Sequence, residues 1–265
     1  MIKISNTDEL KKPFFVCGLR VDVMEISGVI VAMEEWIRGR SFGNYIVIAN
    51  ANDIVLGRID PLVREASNQG SLSVPDGISL VLLGRLFGYS LRKRVYGPDL
   101  MVEFLQFSEG KGYSHFFYGA TDKTLELLLR NLVARFPAIK IAGSYAPPFS
   151  PLSKKEDETV IDMINNLKPD VVWVGLGCPK QQLWMYEHKD KLKVPVMVGV
   201  GAAFDFLAGV KPQAPRWLRD HGFEWLFRLV TEPKRLWRRY LIDYPLFVCY
   251  LLADMVKNRS NSCKS

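Results

Sequence analysis

The chain has 265 residues, 48% of them hydrophobic, enough to bury a core in one large domain or in one domain with an appendage. Its four cysteines (Cys17, Cys178, Cys249, Cys263) form no Cys-x-x-Cys pair, which argues against a disulfide framework or a zinc site and fits a reducing compartment. The net charge of +7 is unevenly spread: residues 211–265 hold eleven Lys/Arg against five Asp/Glu, so the tail is basic and the rest nearly neutral.

Met1 to Lys12 is polar and charged and lacks a secretory signal pattern. Phe14 to Val23 reads as a strand or hairpin, and the spacing of Ile26, Ile30, Met33 and Ile37 predicts a helix to Arg38. Tyr45 to Ala49 is a strand of buried type that runs into Asn50-Ala-Asn-Asp53. Ile54 to Asn68 is helical with a break near Pro61. Ser71 to Val74 is a short strand ending at Pro75-Asp76-Gly77, and Ile78 to Phe87 is an apolar helix. Arg92 to Pro98 is a basic loop before the helix Asp99 to Ser108. Ser114 to Tyr118, Thr121 to Phe136 and Ile139 to Ala142 form a βαβ unit. A Pro-rich loop, Pro147 to Pro151, leads to the helix Lys154 to Leu167.

The strand Val171 to Val174 opens into Gly175-Leu-Gly-Cys-Pro-Lys-Gln-Gln182. Gly175 and Gly177 allow a tight turn with room for a ligand against the main chain, and Pro179 suits the first turn of a helix Lys180 to Glu187. Such a turn can hold an anion, or it can be a plain β-α turn. Val196 to Val200 is a further strand, ending in Gly199-Val-Gly-Ala-Ala-Phe-Asp205. The alternation of strands and helices predicts an α/β fold: a Rossmann-like, mostly parallel sheet with helices on both faces over residues 1–210. Residues 211–265 read as a helical, basic appendage, with helices Ala214 to Asp220, Phe223 to Thr231 and Lys234 to Lys257. Its apolar run Pro245 to Val256 is interrupted by Asp254 and short of a membrane span, so the chain is expected to be soluble or peripherally bound.

In an open parallel sheet, ligands gather at the carboxyl ends of the strands. The candidates there are Asn50, Asn52, Asp76, Gly119, Tyr145, Gly175 to Gln182 and Gly201 to Asp205. Asp76 presents a carboxylate on a sharp turn, but it could equally cap the helix from Ile78. Arg94 could be a solvated loop charge, Asn50 a turn residue and Asp205 a helix cap. The basic tail implies phosphates of a nucleotide, nucleic acid or anionic lipid, or else a solvated face packed by its aromatics. Arg228, Arg235 and Arg239 share one face at helical spacing, although Pro233 breaks that helix; Arg238 is the alternative to Arg239. Trp, Tyr and Arg beside Leu246 to Leu252 also fit a helix lying at a membrane surface. The chain has no Asp-x-Asp pair, its three histidines lack metal-ligand spacing, and no P-loop or Gly-x-Ser-x-Gly occurs.

Several blocks resemble the WecG/TagA/CpsF glycosyltransferases, family 26 of the glycosyltransferases. They include Ile48-Ala-Asn-Ala51, Pro75-Asp-Gly77, Arg94-Val-Tyr-Gly-Pro-Asp99, Gly175-Leu-Gly-Cys-Pro-Lys-Gln181 and Gly199 to Gly209. Ala214-Pro-Arg-Trp217, Glu224 to Leu229 and Glu232 to Tyr240 extend the match to nearly the whole chain in the right order.

The resemblance implies a Rossmann-like domain of the GT-E type, with an appendage that attaches peripherally to the cytoplasmic face of the cell membrane and completes the site. It implies an inverting hexosyltransferase, without cofactor or essential metal, that moves a sugar from a UDP-sugar to a polyprenyl-diphosphate-linked saccharide in surface or exopolysaccharide synthesis. By motif, Asp76 is similar to the general base, Asn50, Arg94 and Gln181 to substrate-positioning residues, and Arg228, Arg235 and Arg238 to ligands of the UDP diphosphate. An aspartate can serve as that base ionised at neutral pH without a large pKa shift, and arginines can replace a metal on the leaving diphosphate. On this view Gln181 and Asp76 share one pocket. Ile48 stands where the family often has threonine, and Gln182 where glutamate is common. Both are expected in or near the substrate pocket, which leaves the donor open between a hexose such as glucose and an N-acetylhexosamine.

The rival readings are a nicotinamide-dependent oxidoreductase and a non-catalytic basic module binding membrane, nucleotide or nucleic acid. The first lacks a Gly-x-Gly-x-x-Gly run after the first strand, and the second leaves Asp76, Arg94 and Gln181 at strand ends unexplained. The resemblance implies no nucleic-acid partner. The sequence leaves open whether the chain acts as monomer or homo-oligomer.

Overall fold

The computed structural model describes residues 12–262. The polar start of the chain, Cys263 and Lys264 lie outside the described residues. Two short strands, β1 (Phe14–Val16) and β2 (Leu19–Val21), form an antiparallel hairpin. Next come α1 (Ile26–Arg38), β3 (Asn44–Ala49), α2 (Ala51–Ile59) and α3 (Pro61–Asn68). The break at Pro61 is real: Asp60 ends α2 and caps α3, accepting from the Leu62 N–H at 2.9 Å. β4 (Leu72–Pro75), α4 (Ile78–Leu86), α5 (Gly97–Glu109), β5 (Ser114–Gly119), α6 (Asp122–Arg135) and β6 (Lys140–Tyr145) follow. The sheet domain closes with α7 (Lys154–Leu167), β7 (Val171–Gly175), α8 (Lys180–His188), β8 (Val196–Gly199) and α9 (Ala203–Leu207).

Six strands form one parallel sheet in the order β4-β3-β8-β7-β5-β6. Its central strands are buried on both faces, which is why they read as continuous runs of Val, Ile and Trp rather than as alternating patterns. Tyr45, Val47, Val172, Val174 and Met197 pack into one apolar layer; Ile46, Trp173, Val196 and Val198 pack into the other with α1, α5 and α6. The outer edge of β4 is covered by the residue after β2. Asp22 N–H donates to the Ser73 carbonyl at 2.7 Å and its carboxylate accepts from Ser73 N–H at 2.6 Å, so this edge is not left open.

The appendage comprises α10 (Arg216–Asp220), α11 (Glu224–Thr231), α12 (Pro233–Arg238) and α13 (Tyr244–Ser262), with a π-helical stretch, Arg239–Asp243, between the last two. The single helix predicted from Lys234 is therefore interrupted. The interruption falls where Arg239 and Tyr240 turn inward, in keeping with the frequent use of π-turns at functional sites. The appendage packs on the sheet domain: Phe247 of α13 belongs to the same apolar layer as Ala51, Ile54 and Val55 of α2. Among the described residues no helix is long and apolar enough to cross a membrane.

Candidate active site

A cavity of about 300 Å³ opens between the carboxyl ends of β3 and β4 and the appendage. Its floor comes from the sheet domain, through Asn50 and Asp76, and its roof from Arg228, Arg239, Tyr240 and Tyr244. Arg94 and Glu224 close one side. Neither half encloses the space alone.

Asn50 is the N-cap of α2. Its Oδ1 accepts from the Asn52 N–H at 3.0 Å, and Asp53 returns the bond to the Asn50 N–H at 2.8 Å, a reciprocal capping box. Asp76 follows β4, and its N–H is held by the Ala49 carbonyl at 2.8 Å. The capping alternative for Asp76 does not apply, because Gly77 is the N-cap of α4 and no side chain caps that helix. Asp76 Oδ1 is instead buried without a hydrogen-bond partner. Arg94 Nη1 stands 3.8 Å from it, while Arg94 Nη2 makes a tight pair with Glu224 Oε2 at 2.7 Å. Arg94 also stacks on the Tyr96 ring, with 4.5 Å to its centroid. It is thus a built part of the cavity wall rather than a solvated loop charge.

Burial pushes the Asp76 carboxyl up to about 7; the Arg94 cation opposes the rise, Glu224 adds to it, and Arg239 and Arg228 oppose it. This corrects the expectation of a base without a large shift. The physical reason is the position of the carboxyl on a cavity floor, beside a second acid and short of hydrogen-bond donors. A carboxylate tuned near neutrality is better placed to accept a proton than an ordinary aspartate.

Two arginines face Asp76 from the appendage. Arg239 Nη2 donates to Asn50 Oδ1 at 2.9 Å, and Arg228 lies over the Phe206 ring at 5.7 Å. Among the described residues neither has a carboxylate at ion-pair distance, and the Nε of each is buried without a partner. Cations held so, with donors left over, suit an anion. Arg235 and Arg238 stay exposed and do not line the cavity. Arg235 pairs at 2.7 Å with Glu232, the residue that precedes α12. α11 ends at Thr231 and α12 starts afresh at Pro233, so the spacing counted from Arg228 does not carry through. Leu236 and Tyr240 are the buried positions there, and the change to π-helical turns places Arg239 beside Tyr240 on the inner side.

Gln181 is buried next to Gly199 and Gly201, with its Oε1 unpartnered, and does not line the cavity with Asp76. The strands β3 and β8 lie between the strand ends that carry the two residues. The room expected beside Gly175 is filled by the protein: a Cβ there would lie 2.5 Å from the Phe204 ring. Gly177 has φ +77°, the turn conformation its sequence suggested, and Pro179 is the N-cap of α8 behind a cis peptide bond. Ile48 and Gln182 do not line the pocket either. Ile48 packs in the apolar layer with Ile46 and Val95, and Gln182 donates to the buried Asp53. Of the remaining candidates, Asn52 faces the Cys178 sulfur, Tyr145 stacks on Tyr118, and Asp205 pairs with Lys211.

Glu224 and Tyr244 are site residues that sequence reasoning did not single out. Glu224 carried a signal, since it is the one acid in the apolar, basic stretch Phe223 to Val230.

The model of the glycosyl transferase WecG/TagA/CpsF family matches residues 14–261. The chain belongs to this family. It is similar to the N-acetylglucosaminyldiphosphoundecaprenol N-acetyl-beta-D-mannosaminyltransferase of Bacillus spizizenii, 30% identical over 228 residues that span 86% of each chain. The enzyme of the same name from Staphylococcus aureus is 30% identical over 234 residues, 88% of this chain and 89% of that one. As a WecG/TagA/CpsF protein the chain is a glycosyltransferase, which sets aside both the nicotinamide-dependent and the non-catalytic readings.

Proposed function

We propose that the protein transfers a hexose or N-acetylhexosamine from a UDP-sugar to a polyprenyl-diphosphate-linked saccharide, with inversion and without a metal. The observation that carries this reading is one cavity in which the Asp76 carboxyl, its Oδ1 buried without a hydrogen bond, faces two arginines that have no acidic partner among the described residues. Asp76 takes the proton of the acceptor hydroxyl as that oxygen attacks the anomeric carbon from the face opposite the leaving group. The bond from the anomeric carbon to the diphosphate oxygen breaks, and its electron pair leaves with UDP. Arg228 and Arg239 meet the charge that grows on the diphosphate, the place where fixed donors contribute most to rate. Arg94, tied to Glu224, keeps the carboxylate in place without capturing it.

The relatives' names specify an undecaprenol-diphosphate acceptor bearing N-acetylglucosamine and transfer of N-acetylmannosamine, which makes that pair the first to try. Half-exposed Ile78, Trp225 and Val248 rim the cavity, and exposed Trp217, Val230 and Trp237 share the appendage with exposed Arg235 and Arg238. Apolar and basic side chains mixed in this way fit the cytoplasmic face of a membrane that carries the acceptor lipid. The test is a donor screen: UDP-sugars with an undecaprenyl-diphosphate N-acetylglucosamine acceptor, with and without EDTA. Transfer that survives EDTA and is lost in Asp76→Ala is expected. Transfer by Asp76→Ala at the wild-type rate, or transfer abolished by EDTA and restored by a metal, would overturn the mechanism.

A further inference from the structure

Behind the cavity wall a buried hydrogen-bond chain links the Gly-rich turn to the appendage. Gln182, in the first turn of α8, is fully buried, and its Nε2 donates to Asp53 Oδ1. Asp53 is fully buried too, and its Oδ2 accepts from the Asn50 N–H at 2.8 Å. Asn50 Oδ1 in turn accepts from Arg239 Nη2 at 2.9 Å. Asn52 Nδ2 lies 3.7 Å from Cys178 Sγ.

A buried carboxylate is an expensive way to return one bond to a helix cap, since a neutral side chain at this position can do so without dehydrating a charge. What a carboxyl side chain adds is a second oxygen, so that one residue meets both the Asn50 N–H and the Gln182 amide. Burial raises the Asp53 pKa, while the Cys178 thiol, the Asn50 N–H and the Arg239 cation oppose the rise. Gln182 supplies a fixed donor to one carboxylate oxygen, which leaves the other to Asn50.

We propose that Asp53 and Gln182 form a positioning pair for Arg239: Gln182 orients the Asp53 carboxylate, which locks Asn50 so that its Oδ1 aims Arg239 into the cavity. Neither residue touches the cavity. The inference rests on the reading of the cavity as a nucleotide-diphosphate site.

The polarity of the pair provides the test. Asp53→Asn sets one carboxamide against another and removes the charge, and Gln182→Glu sets two buried carboxylates face to face. The double variant Asp53→Asn/Gln182→Glu restores one carboxylate opposite one carboxamide and keeps an acceptor oxygen for the Asn50 N–H. By calorimetric titration with UDP, each single variant is expected to bind about tenfold more weakly, the loss of one charge-assisted bond, and the double variant to recover most of the loss. In an Arg239→Ala background, Asp53→Asn is expected to change UDP affinity less than about twofold, the limit for a residue that acts through Arg239. Gln182→Met, which removes the donor at nearly constant volume, is the variant to use if the charged changes disturb folding; it should lose UDP affinity only where Arg239 is present. An equal loss with and without Arg239, or a double variant no better than either single one, overturns the proposal. A wild-type protein that binds no UDP overturns the nucleotide reading itself, a different outcome from wild-type binding that Asp53→Asn leaves unchanged.

Discussion

The most discriminating perturbation of the site is Glu224→Gln, because it changes the proposed base, Asp76, without replacing it. Glu224 acts on Asp76 in two ways: its charge repels the carboxylate, and it holds Arg94 Nη2 at 2.7 Å while Asp76 is left 3.8 Å from Nη1. Neutralising Glu224 removes the repulsion and frees Arg94 to turn toward Asp76. Both effects favour the ionised form, so the Asp76 pKa falls from about 7. A charge change at this range moves an aspartate by about 1 unit or more. At pH 6, a base of pKa about 7 is ionised in roughly one molecule in eleven, and one of pKa about 6 in half of them. The acid limb of kcat/KM for sugar transfer should therefore move down by about one pH unit, and Glu224→Gln should be about fivefold faster than wild type at pH 6. Above pH 8 the two should differ little, apart from the slightly weaker base. An acid limb that stays in place, or moves to higher pH, would refute the assignment of Asp76 as the titrating base under the control of Glu224.

Other outcomes follow from the same geometry. Asp76→Asn should abolish transfer and also stabilise the fold at alkaline pH. Between its ordinary value of 3.8 and about 7, the folded state holds a proton that the unfolded state has lost. Stability therefore falls as pH rises through that window. Thermal unfolding should show a gain of roughly 1–2 kcal/mol for the variant at pH 8 and none at pH 4; a loss at pH 8 would contradict a carboxyl whose Oδ1 is buried without a hydrogen bond. Arg228→Ala and Arg239→Ala should each weaken UDP binding by about ten- to a hundredfold, whereas Arg235→Ala and Arg238→Ala should change it less than about threefold. A larger loss in the second pair would mean that α12 turns over when the ligand binds. Val230→Glu, a change at a side chain that is 73% exposed, should leave UDP binding intact and reduce co-sedimentation with anionic vesicles. Unchanged vesicle binding would move the membrane surface elsewhere.

Much of the fold was legible because the signals are local. The β-branched runs of β3, β7 and β8, the Pro61 break and the βαβ unit around α6 depend on side chains that are neighbours in sequence. Asp76 could be chosen as a candidate because a Pro-Asp-Gly turn after a strand fixes where its carboxylate stands. Its tuning could not be read, since Glu224 and the two arginines that act on it lie about 150 residues further along the chain. The choice between Arg238 and Arg239 was equally hidden. It depends on a fresh helix start at Pro233 and on a π-helical stretch that no residue pattern announces.

The Gly-rich turn shows the division most plainly. Its sequence alone determined a strand, a left-handed turn at Gly177 and a helix start, because backbone sterics act within a few residues. Only the tertiary structure decided what that turn is for. The Phe204 ring fills the space beside Gly175, and Gln182 faces inward to a buried carboxylate 129 positions earlier in the chain. Local sterics shape an element, but which side chains meet across it is decided by how the sheet order and the appendage fold back upon each other.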